Sequence, residues 1–245
     1  QEIRFLLLYA NAKTPVVARS GQSTYIGYQD DTRVAITACP DGFPCGPLSL
    51  FFGRFFGFGA APDGTLGVMY LETFGGRVFQ RRTPVGEWLT MEPVPFPDLF
   101  TSNVRHQLLA DGAGRWHFIW VDGLNNAFIT HRADAGGWST AESLGSIPQA
   151  FDAAFDSTDT LRLVSCTDAG LNQITWSAWS GVLAPTLISA ELCGPNDVTL
   201  LIDDSDTAYA VWAFEGRFRY SRRPPAGSWS LPVPLADATP GLVGA

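Results

Sequence analysis

Short apolar segments alternate along the chain with turns that are rich in Gly, Asp, Asn and Ser. Within 118–121 and 210–213 every residue is apolar, rather than every second one. A β-strand of this kind is packed on both of its faces. No segment shows the sustained period of about 3.6 residues that an amphipathic helix requires. The pattern predicts an all-β chain whose central strands lie between two packed layers.

These segments recur at a regular spacing. Equivalent turn positions are Gly21, Gly64, Gly112, Ser157 and Asp204, which lie 43, 48, 45 and 47 residues apart. Repeats of about 40–50 residues, each with several short strands, are typical of β-propeller blades. Closing a ring of blades leaves few strand edges exposed to aggregation. The sequence therefore predicts a single β-propeller domain over residues 1–245.

The third and fifth copies show most clearly that each repeat contains four strands. The predicted strands of the third copy are Val104–Ala110, Trp116–Val121, Ala127–Arg132 and Trp138–Leu144. Those of the fifth are Val198–Ile202, Ala208–Ala213, Arg217–Ser221 and Trp229–Leu235. The connections carry Gly, Asn and Asp, which tolerate the positive φ of hairpin turns. We predict five four-stranded blades, at about 14–50, 51–97, 98–146, 147–192 and 193–236.

One apolar segment, Ile3–Tyr9, lies outside the five copies. We predict that it is an N-terminal strand that closes the ring against the last blade. The alternative is a six-bladed propeller, in which this segment is the remnant of a sixth blade and pairs with the tail near Leu242 and Val243.

The charge balance argues against nucleic-acid binding. The chain has 16 Lys and Arg residues against 24 Asp and Glu residues, a net charge of −8, and the excess acid is spread along the sequence. Phosphate recognition needs clustered Lys and Arg. In addition, no apolar run approaches the roughly 18–20 residues of a membrane-spanning helix. We predict neither a nucleic-acid partner nor a membrane span.

The four cysteines form two plausible pairs. Cys39 and Cys45 bracket a sharp turn, while Cys166 ends a strand and Cys193 lies near the exit of the same blade. Both pairs can bring their Cα atoms to the 4.4–6.8 Å or so that a disulfide needs. We predict two disulfides and an oxidising compartment, hence a secreted, periplasmic or cell-surface protein; four buried thiols are the alternative. A start at Gln1 fits a mature form cut from a secreted precursor, and equally a trimmed sequence.

Three copies end in a Gly-x-Trp or Gly-Trp-Ser corner, and Asp-Gly precedes the second strand. In these features the chain resembles the repeats of bacterial extracellular propellers in the broad sialidase-like and lectin-like groups. The resemblance covers most of the chain and implies the fold more than the function. The sialidase-like Asp-box, Ser-x-Asp-x-Gly-x-Thr-Trp, does not occur. No catalytic residue is therefore carried over from that family.

The mouth of the central channel is the first candidate site. Aligning the starts of the inner strands places Arg105, Asp152 and Asp197 there. Charges in a narrow channel are costly unless they are paired or hydrated, so the set predicts either a polar ligand site or a structural Arg–Asp pair. Two of these acids could also serve glycoside hydrolysis. Arabinanase-like five-bladed glycosidases resemble this architecture and use three carboxylates, but the first three blades offer no obvious third acid.

Aromatic residues recur late in the second strand of four blades, at Tyr28, Tyr70, Trp120 and Trp212. Because aromatic faces stack on sugar rings, Trp120 and Trp212 are candidate glycan-binding residues; packing between blades is the alternative. Arginines also recur after the third strands, at 81–82, 132 and 222–223. They predict either an anion-binding rim or solvated hairpin ends.

The sequence indicates no metal or cofactor. His106, His117 and His131 fall on three strands of one blade, with no acid or Cys at ligand spacing beside them. The acidic run 203–206 lacks the Gly and distal Glu of an EF-hand loop, so we predict a turn with local hydrogen bonds. P-loop, dinucleotide-binding and Gly-x-Ser-x-Gly motifs are missing from the sequence.

These observations favour a secreted, non-catalytic propeller that binds a glycan, in the manner of a lectin, or a protein. A glycoside hydrolase with carboxylates at the central channel is the first alternative. A structural interaction module of a surface assembly is the second. Repeated pockets between blades would favour the lectin, clustered carboxylates the enzyme, and a large exposed apolar patch the interaction module.

Overall fold

A computed structural model describes residues 12–20, 23–30, 33–41, 45–72, 76–94, 106–133, 135–147, 151–193 and 198–235. Within these ranges the chain forms nineteen β-strands and no helix. The described part of the chain accordingly contains no helix that could span a bilayer. The strands form one sheet of seven strands and three sheets of four. One long strand of the seven-stranded sheet belongs to two four-stranded blades, so there are five antiparallel blades, here called blades 1 to 5, and the prediction of an all-β chain is confirmed.

The chain divides into two compact units. The first contains blades 1 and 2, together with the segments His106–Phe118 and Thr130–Thr140. Blade 1 consists of β1 (Ala12–Ser20), β2 (Ser23–Asp30), β3 (Arg33–Pro40) and the first part of β4 (Gly46–Ala60). Blade 2 consists of the second part of β4, β5 (Leu66–Glu72), β6 (Arg77–Arg82) and β7 (Glu92–Pro93).

The second unit contains the rest of blade 3 and all of blades 4 and 5. Blade 3 consists of β8 (His106–Ala110), β9 (Trp116–Val121), β10 (Asn126–His131) and β11 (Glu142–Ser146). Blade 4 consists of β12 (Phe151–Phe155), β13 (Leu161–Thr167), β14 (Gly170–Ser177) and β15 (Gly181–Ser189). Blade 5 consists of β16 (Val198–Ile202), β17 (Ala208–Phe214), β18 (Arg217–Arg223) and β19 (Val233–Pro234).

The long strand β4 is the outer strand of blade 1 and the inner strand of blade 2. The change of sheet falls at Gly53, whose φ is +149° and where any Cβ would collide with the carbonyl oxygen of Leu71. Further along, Gly57 and Gly59 bring blade 2 close to Leu108 on the inner strand of blade 3: a Cβ on either would lie 2.9 Å from an atom of Leu108. Small residues here let two inner strands approach closely.

A repeated turn links the inner strand to the second strand of blades 3, 4 and 5. Its first residue is Asp111, Asp156 or Asp203, and one carboxylate oxygen of each accepts two backbone N–H groups of the turn. Such Asx bonds stabilise a turn without a neighbouring strand. The local bonds predicted for 203–206 are thus present.

The equivalent turn positions agree with the prediction in blade 2 and differ from it in blades 3, 4 and 5. The turn residues with positive φ are Gly64, Gly114, Asp159 and Asp206, so the last three lie two residues beyond the predicted Gly112, Ser157 and Asp204. Each donates its N–H to the first residue of its turn. In blade 2 the first residue of the turn is Ala61, whose side chain has no hydrogen-bonding group. The carboxylate of Asp63 accepts the turn hydrogen bond there instead.

The second strands match the prediction best, and the outer strands match least. The strand Trp116–Val121 is buried throughout and has the predicted bounds. The outer strands predicted from Trp138 and Trp229 begin only at Glu142 and Val233. After each Trp, a serine hydroxyl, Ser139 or Ser230, accepts the backbone N–H of the neighbouring strand in place of a ladder bond.

Both predicted disulfides are present. Cys39 and Cys45 lie at a Cα–Cα distance of 4.0 Å, and Cys166 and Cys193 at 5.7 Å. The predicted ring-closing strand Ile3–Tyr9 and the tail near Leu242 lie outside the described residues. The single-domain assignment and its blade limits stay predictions.

Candidate functional site

The predicted channel set is only partly described. Arg105 and Asp197 lie outside the described residues. Asp152 lies on β12, and its Oδ2 accepts hydrogen bonds from the Leu200 backbone at 2.8 Å and from the Thr199 hydroxyl at 2.9 Å. These bonds tie the inner strand of blade 4 to that of blade 5. Asp152 therefore has a structural task at this position, and its part in ligand binding stays a prediction.

The two candidate tryptophans are buried. Trp120 is 3% exposed and stacks on Phe128 with ring centroids 5.5 Å apart. Trp212 is fully buried in a cluster that includes Val164, Leu200 and Ala210. This is the environment expected of packing between blades, and it leaves little ring face for a sugar. Their role as glycan-binding residues stays a prediction.

An ionic cluster that sequence analysis missed joins blade 2 to blade 3. The carboxylate of Glu92 accepts two hydrogen bonds from Arg132, at 2.7 and 2.9 Å, and one from Arg81 at 3.3 Å. The three side chains retain 22%, 13% and 26% of their surface in contact with solvent. Arg132 is thus neither a solvated hairpin end nor a fully buried group, and part of the cluster stays in contact with solvent.

Two aromatic rings complete this arrangement. Trp138 lies opposite Arg132 in an isolated β-bridge, and Phe79 lies opposite Glu92 on the paired strands β6 and β7. Residues directly opposite each other in antiparallel strands share one face of the sheet. The rings of Phe79 and Trp138 meet edge to face, with centroids 5.3 Å apart. We call Arg81, Glu92, Arg132 and the half-buried Trp138 the 2/3 junction.

The same contact recurs, in altered form, at the next junction. Glu142 lies opposite Ile129, as Glu92 lies opposite Phe79, and its carboxylate accepts the indole N–H of Trp176 at 3.0 Å. A signal for this was present: Trp-x-Thr-x-Glu occurs at both 88–92 and 138–142. The repeated spacing from Trp to Glu could have predicted the junction acids.

The 2/3 junction has the chemical groups that sugar recognition uses. A carboxylate accepts hydrogen bonds from hydroxyl groups, a guanidinium donates several in a fixed plane, and the indole offers an apolar face. Because the Glu92–Arg132 pair is held before any ligand arrives, little side-chain order would be lost on binding. The arrangement can therefore orient a polyhydroxylated ring.

A histidine pair lies nearby in blade 3. His117 bonds Asp111 at 3.0 Å, and its ring centroid lies 6.0 Å from that of His131. The sequence showed no acid at ligand spacing beside these histidines, but the turn brings Asp111 back onto the second strand and into contact with His117. Burial is the main cause that lowers the pKa of His117, and it outweighs the opposing bond to Asp111. Among the described residues no cluster has the composition of a metal site.

No protein-family model matches the chain, and no curated protein matches it by sequence. Solved structures match it in fold. The BP39L lectin from Burkholderia pseudomallei superposes with a TM-score of 0.71 at 15% identity, over 91% of this chain and 70% of that one. The SapL1 lectin in complex with α-methyl fucoside superposes with a TM-score of 0.65 at 10% identity, over 89% and 79%.

A variant of the Aleuria aurantia lectin, in complex with Fucα1-6GlcNAc, superposes with a TM-score of 0.63 at 13% identity, over 93% of this chain and 80% of that one. TolB from Acinetobacter baumannii also matches, with a TM-score of 0.61 at 11% identity. One fold therefore spans differently named proteins, and at these identities the likeness shows the fold alone. The described residues form an all-β, five-bladed β-propeller with five four-stranded blades, and the terminal segments on which the six-bladed alternative depends lie outside them.

Proposed function

We propose that the chain is a non-catalytic, glycan-binding propeller whose ligands bind between adjacent blades. The observation that carries the proposal is the 2/3 junction, where Glu92 is held by Arg132 and Arg81 beside a half-buried Trp138. Lectins with the same fold, two of them in complex with fucosides, support the assignment. The two disulfides fit an extracellular or periplasmic location.

The expected binding mode follows from the geometry. Sugar hydroxyls would donate to the Glu92 lone pairs that the arginines leave unused, and Arg81 would donate to a ring or hydroxyl oxygen. The apolar C–H face of the sugar would lie against Trp138. Hydrogen bonds to charged groups are each worth about 1.5–3 kcal/mol, so one such site supports weak to moderate affinity. Repetition across junctions would add avidity.

A glycan array followed by titration calorimetry tests the proposal. The array should give hits, and α-methyl fucoside is the first ligand to titrate. Glu92→Gln should weaken any hit at least about ten-fold, because the ligand hydroxyls lose a charged acceptor. Glu87→Gln, which removes an exposed acid from the adjacent hairpin, is the matched control. An array without hits from a folded protein, or equal binding by Glu92→Gln, rejects the proposal, and hydrolysis of a hit would establish the enzyme alternative.

Protein recognition is the second candidate, and one surface favours it. Leu187, Leu192, Phe214, Leu231 and Pro232 line a shallow groove along blades 4 and 5. Leu192 and Leu231 are exposed by 59% and 85%. Exposed apolar groups that lie together are typical of association surfaces. If the surface binds a second copy, sedimentation velocity should show association that Leu231→Glu abolishes; a monomer at every concentration rejects self-association.

A further inference from the structure

The end of the third strand carries an equivalent residue in each of blades 3, 4 and 5. These residues are Arg132, Trp176 and Arg223, which lie opposite the first residue of the second strand: Trp116, Leu161 and Ala208. In two of the three blades this residue reaches back to the preceding blade and binds a glutamate there.

The glutamate position is also equivalent between blades. Glu92 lies opposite Phe79, Glu142 opposite Ile129, and in blade 4 the corresponding residue is Thr186 opposite Gln173. Thr186 is exposed and offers no charge. The boundary between blades 4 and 5, here called the 4/5 junction, therefore has an arginine equivalent to that of the 2/3 junction, Arg223, without the acid.

Arg223 is not satisfied by other groups of the described chain. Its Nη1 is buried and has no hydrogen-bond partner among the described residues. Burial, reinforced by the positive charge of Arg162, lowers the pKa of Arg223, with Asp156 opposing the shift. A guanidinium in this position is costly to keep charged unless an anion meets it.

The neighbouring arginine, Arg162, is also incompletely hydrogen-bonded. Arg162 is 91% buried, since 9% of its surface is exposed, and its Nε also lacks a partner among the described residues. Its Nη2 is paired with Asp156 at 2.7 Å. The second acid nearby, Asp206, is bound by the backbone N–H and the hydroxyl of Ser157. Both acids are therefore already bound to other groups, Asp156 to Arg162 and Asp206 to Ser157. Within the described chain, Arg223 is the arginine of this group that is left without a carboxylate bound to it.

An aromatic ring lies next to this charge. The Arg222 carbonyl accepts the Ser230 N–H, so Arg223 lies opposite Trp229, as Arg132 lies opposite Trp138. The Trp229 indole N–H donates to Gln173 of blade 4 at 2.9 Å, and the ring is half-buried. The junction therefore offers an apolar ring beside an arginine that has no carboxylate of its own.

We propose that the 4/5 junction, built from Arg223, Arg162 and Trp229, binds the anionic group of an acidic glycan, a carboxylate or a sulfate ester. The ligand anion takes the place that Glu92 fills at the 2/3 junction. Guanidinium groups bind carboxylate and sulfate-like oxygens through paired hydrogen bonds. The inference deepens the proposed function. It rests on that function for the claim that the ligand is a sugar, whereas the claim that the site binds an anion is independent of it.

Titration with charged and neutral partners of one sugar tests the proposal. Methyl glucuronide and inorganic sulfate should bind the intact protein, and methyl glucoside should bind at least about ten-fold more weakly, since a hydrogen bond to a charged group is worth that factor or more. Binding of both anions should weaken as NaCl rises. Arg223→Gln should remove the difference between glucuronide and glucoside, whereas Arg222→Gln, its exposed neighbour, should keep it.

Exchanging the residues at the glutamate position of the two junctions, Glu92 and Thr186, provides a reciprocal test. Thr186→Glu supplies Arg223 with an internal carboxylate and should abolish sulfate binding. Glu92→Thr leaves Arg132 and Arg81 without theirs and should create a second sulfate site. Circular dichroism and a cooperative unfolding transition show that each variant is folded.

The outcomes separate this inference from the proposed function. Equal binding of glucuronide and glucoside, or sulfate binding unchanged in both Arg223→Gln and Thr186→Glu, overturns the anion site even if neutral glycans bind at the 2/3 junction. Sulfate binding lost in Arg223→Gln supports the anion site even if the array gives no glycan. In that second case the proposed function fails and the anion site stands.

Discussion

The indole ring of Trp116 lies directly on the backbone of Gly67. A Cβ at Gly67 would lie 2.6 Å from two ring carbons of Trp116 and 3.0 Å from the ring of Phe79. Phe79 and Trp116 themselves pack with centroids 5.5 Å apart. A tryptophan at the start of the second strand of blade 3 therefore fits only because blade 2 has no side chain at this position.

Gly67→Ala should consequently lower the free energy of unfolding by about 1–3 kcal/mol, the usual cost of overpacking a core. Gly46→Ala is the matched control, because a Cβ there meets no atom within 4 Å and its φ is not positive. Chemical unfolding in urea measures both. Equal stability of the two variants would show that blades 2 and 3 are not in close contact at this point.

The Glu92–Arg132 pair should contribute to stability as well as to binding. Removing Glu92 leaves Arg132 partly buried and without its carboxylate, and removing Arg132 leaves Glu92 with the longer bond to Arg81 alone. Glu92→Gln and Arg132→Gln should therefore each cost about 1–3 kcal/mol, discounted for their partial exposure. A double-mutant cycle should return a coupling of at least about 0.5 kcal/mol. Arg19→Gln breaks the exposed pair with Asp41 and should cost less. Additive effects in the cycle would contradict the pairing.

The two disulfides should contribute unequally. Their sequence separations are 6 and 27 residues. In the chain-entropy account, loops of these lengths stabilise the folded state by about 2 and 3.5 kcal/mol respectively. Replacing both members of Cys166–Cys193 by Ala should therefore cost more than doing so at Cys39–Cys45, as measured by urea unfolding. Thiol labelling of denatured, unreduced protein should find no thiols; four reactive thiols would contradict both bonds.

Strand positions were predictable from the sequence where one physical signal dominates. The second strands contain continuous apolar runs, such as 118–121 and 210–213, because both faces of the strand are buried, and the turn residues on either side limit each run to the length of a strand. The outer strands carry polar residues on exposed faces. There the pairing is decided by local hydrogen bonds such as that of Ser139 to the His131 N–H, which hydrophobicity does not report.

The candidate site was harder to predict because its contacts join distant repeats. Glu92 and Arg132 are 40 residues apart. The recurring arginines were recognised, but their partners follow only from how one blade lies on the next. Aromatic recurrence at Trp120 and Trp212 was ambiguous for a related reason: a repeated core and a repeated binding site demand the same residues at the same spacing.

Acid should destabilise the protein in the pH range where His117 titrates. In the unfolded chain a histidine has a pKa of about 6.5. Burial lowers the pKa of His117 in the folded protein, with the nearby His131 and Arg115 acting in the same direction and Asp111 opposing them. Below pH 6.5 or so the unfolded state then binds more protons than the folded state. Stability is therefore full above that pH and falls as the pH drops through the folded pKa.

Asp111 does not interfere in this window. Its burial raises its pKa, but hydrogen bonds from His117 and Arg115 outweigh burial and lower it below the ordinary value, so it titrates only in stronger acid. Urea midpoints at pH 7.5 and 5.5 should thus differ in the wild type. They should differ less in His117→Gln, which keeps a donor for Asp111 without a titrating group. A midpoint that rises at pH 5.5 would show that Asp111 holds the imidazolium and that the pKa of His117 is raised.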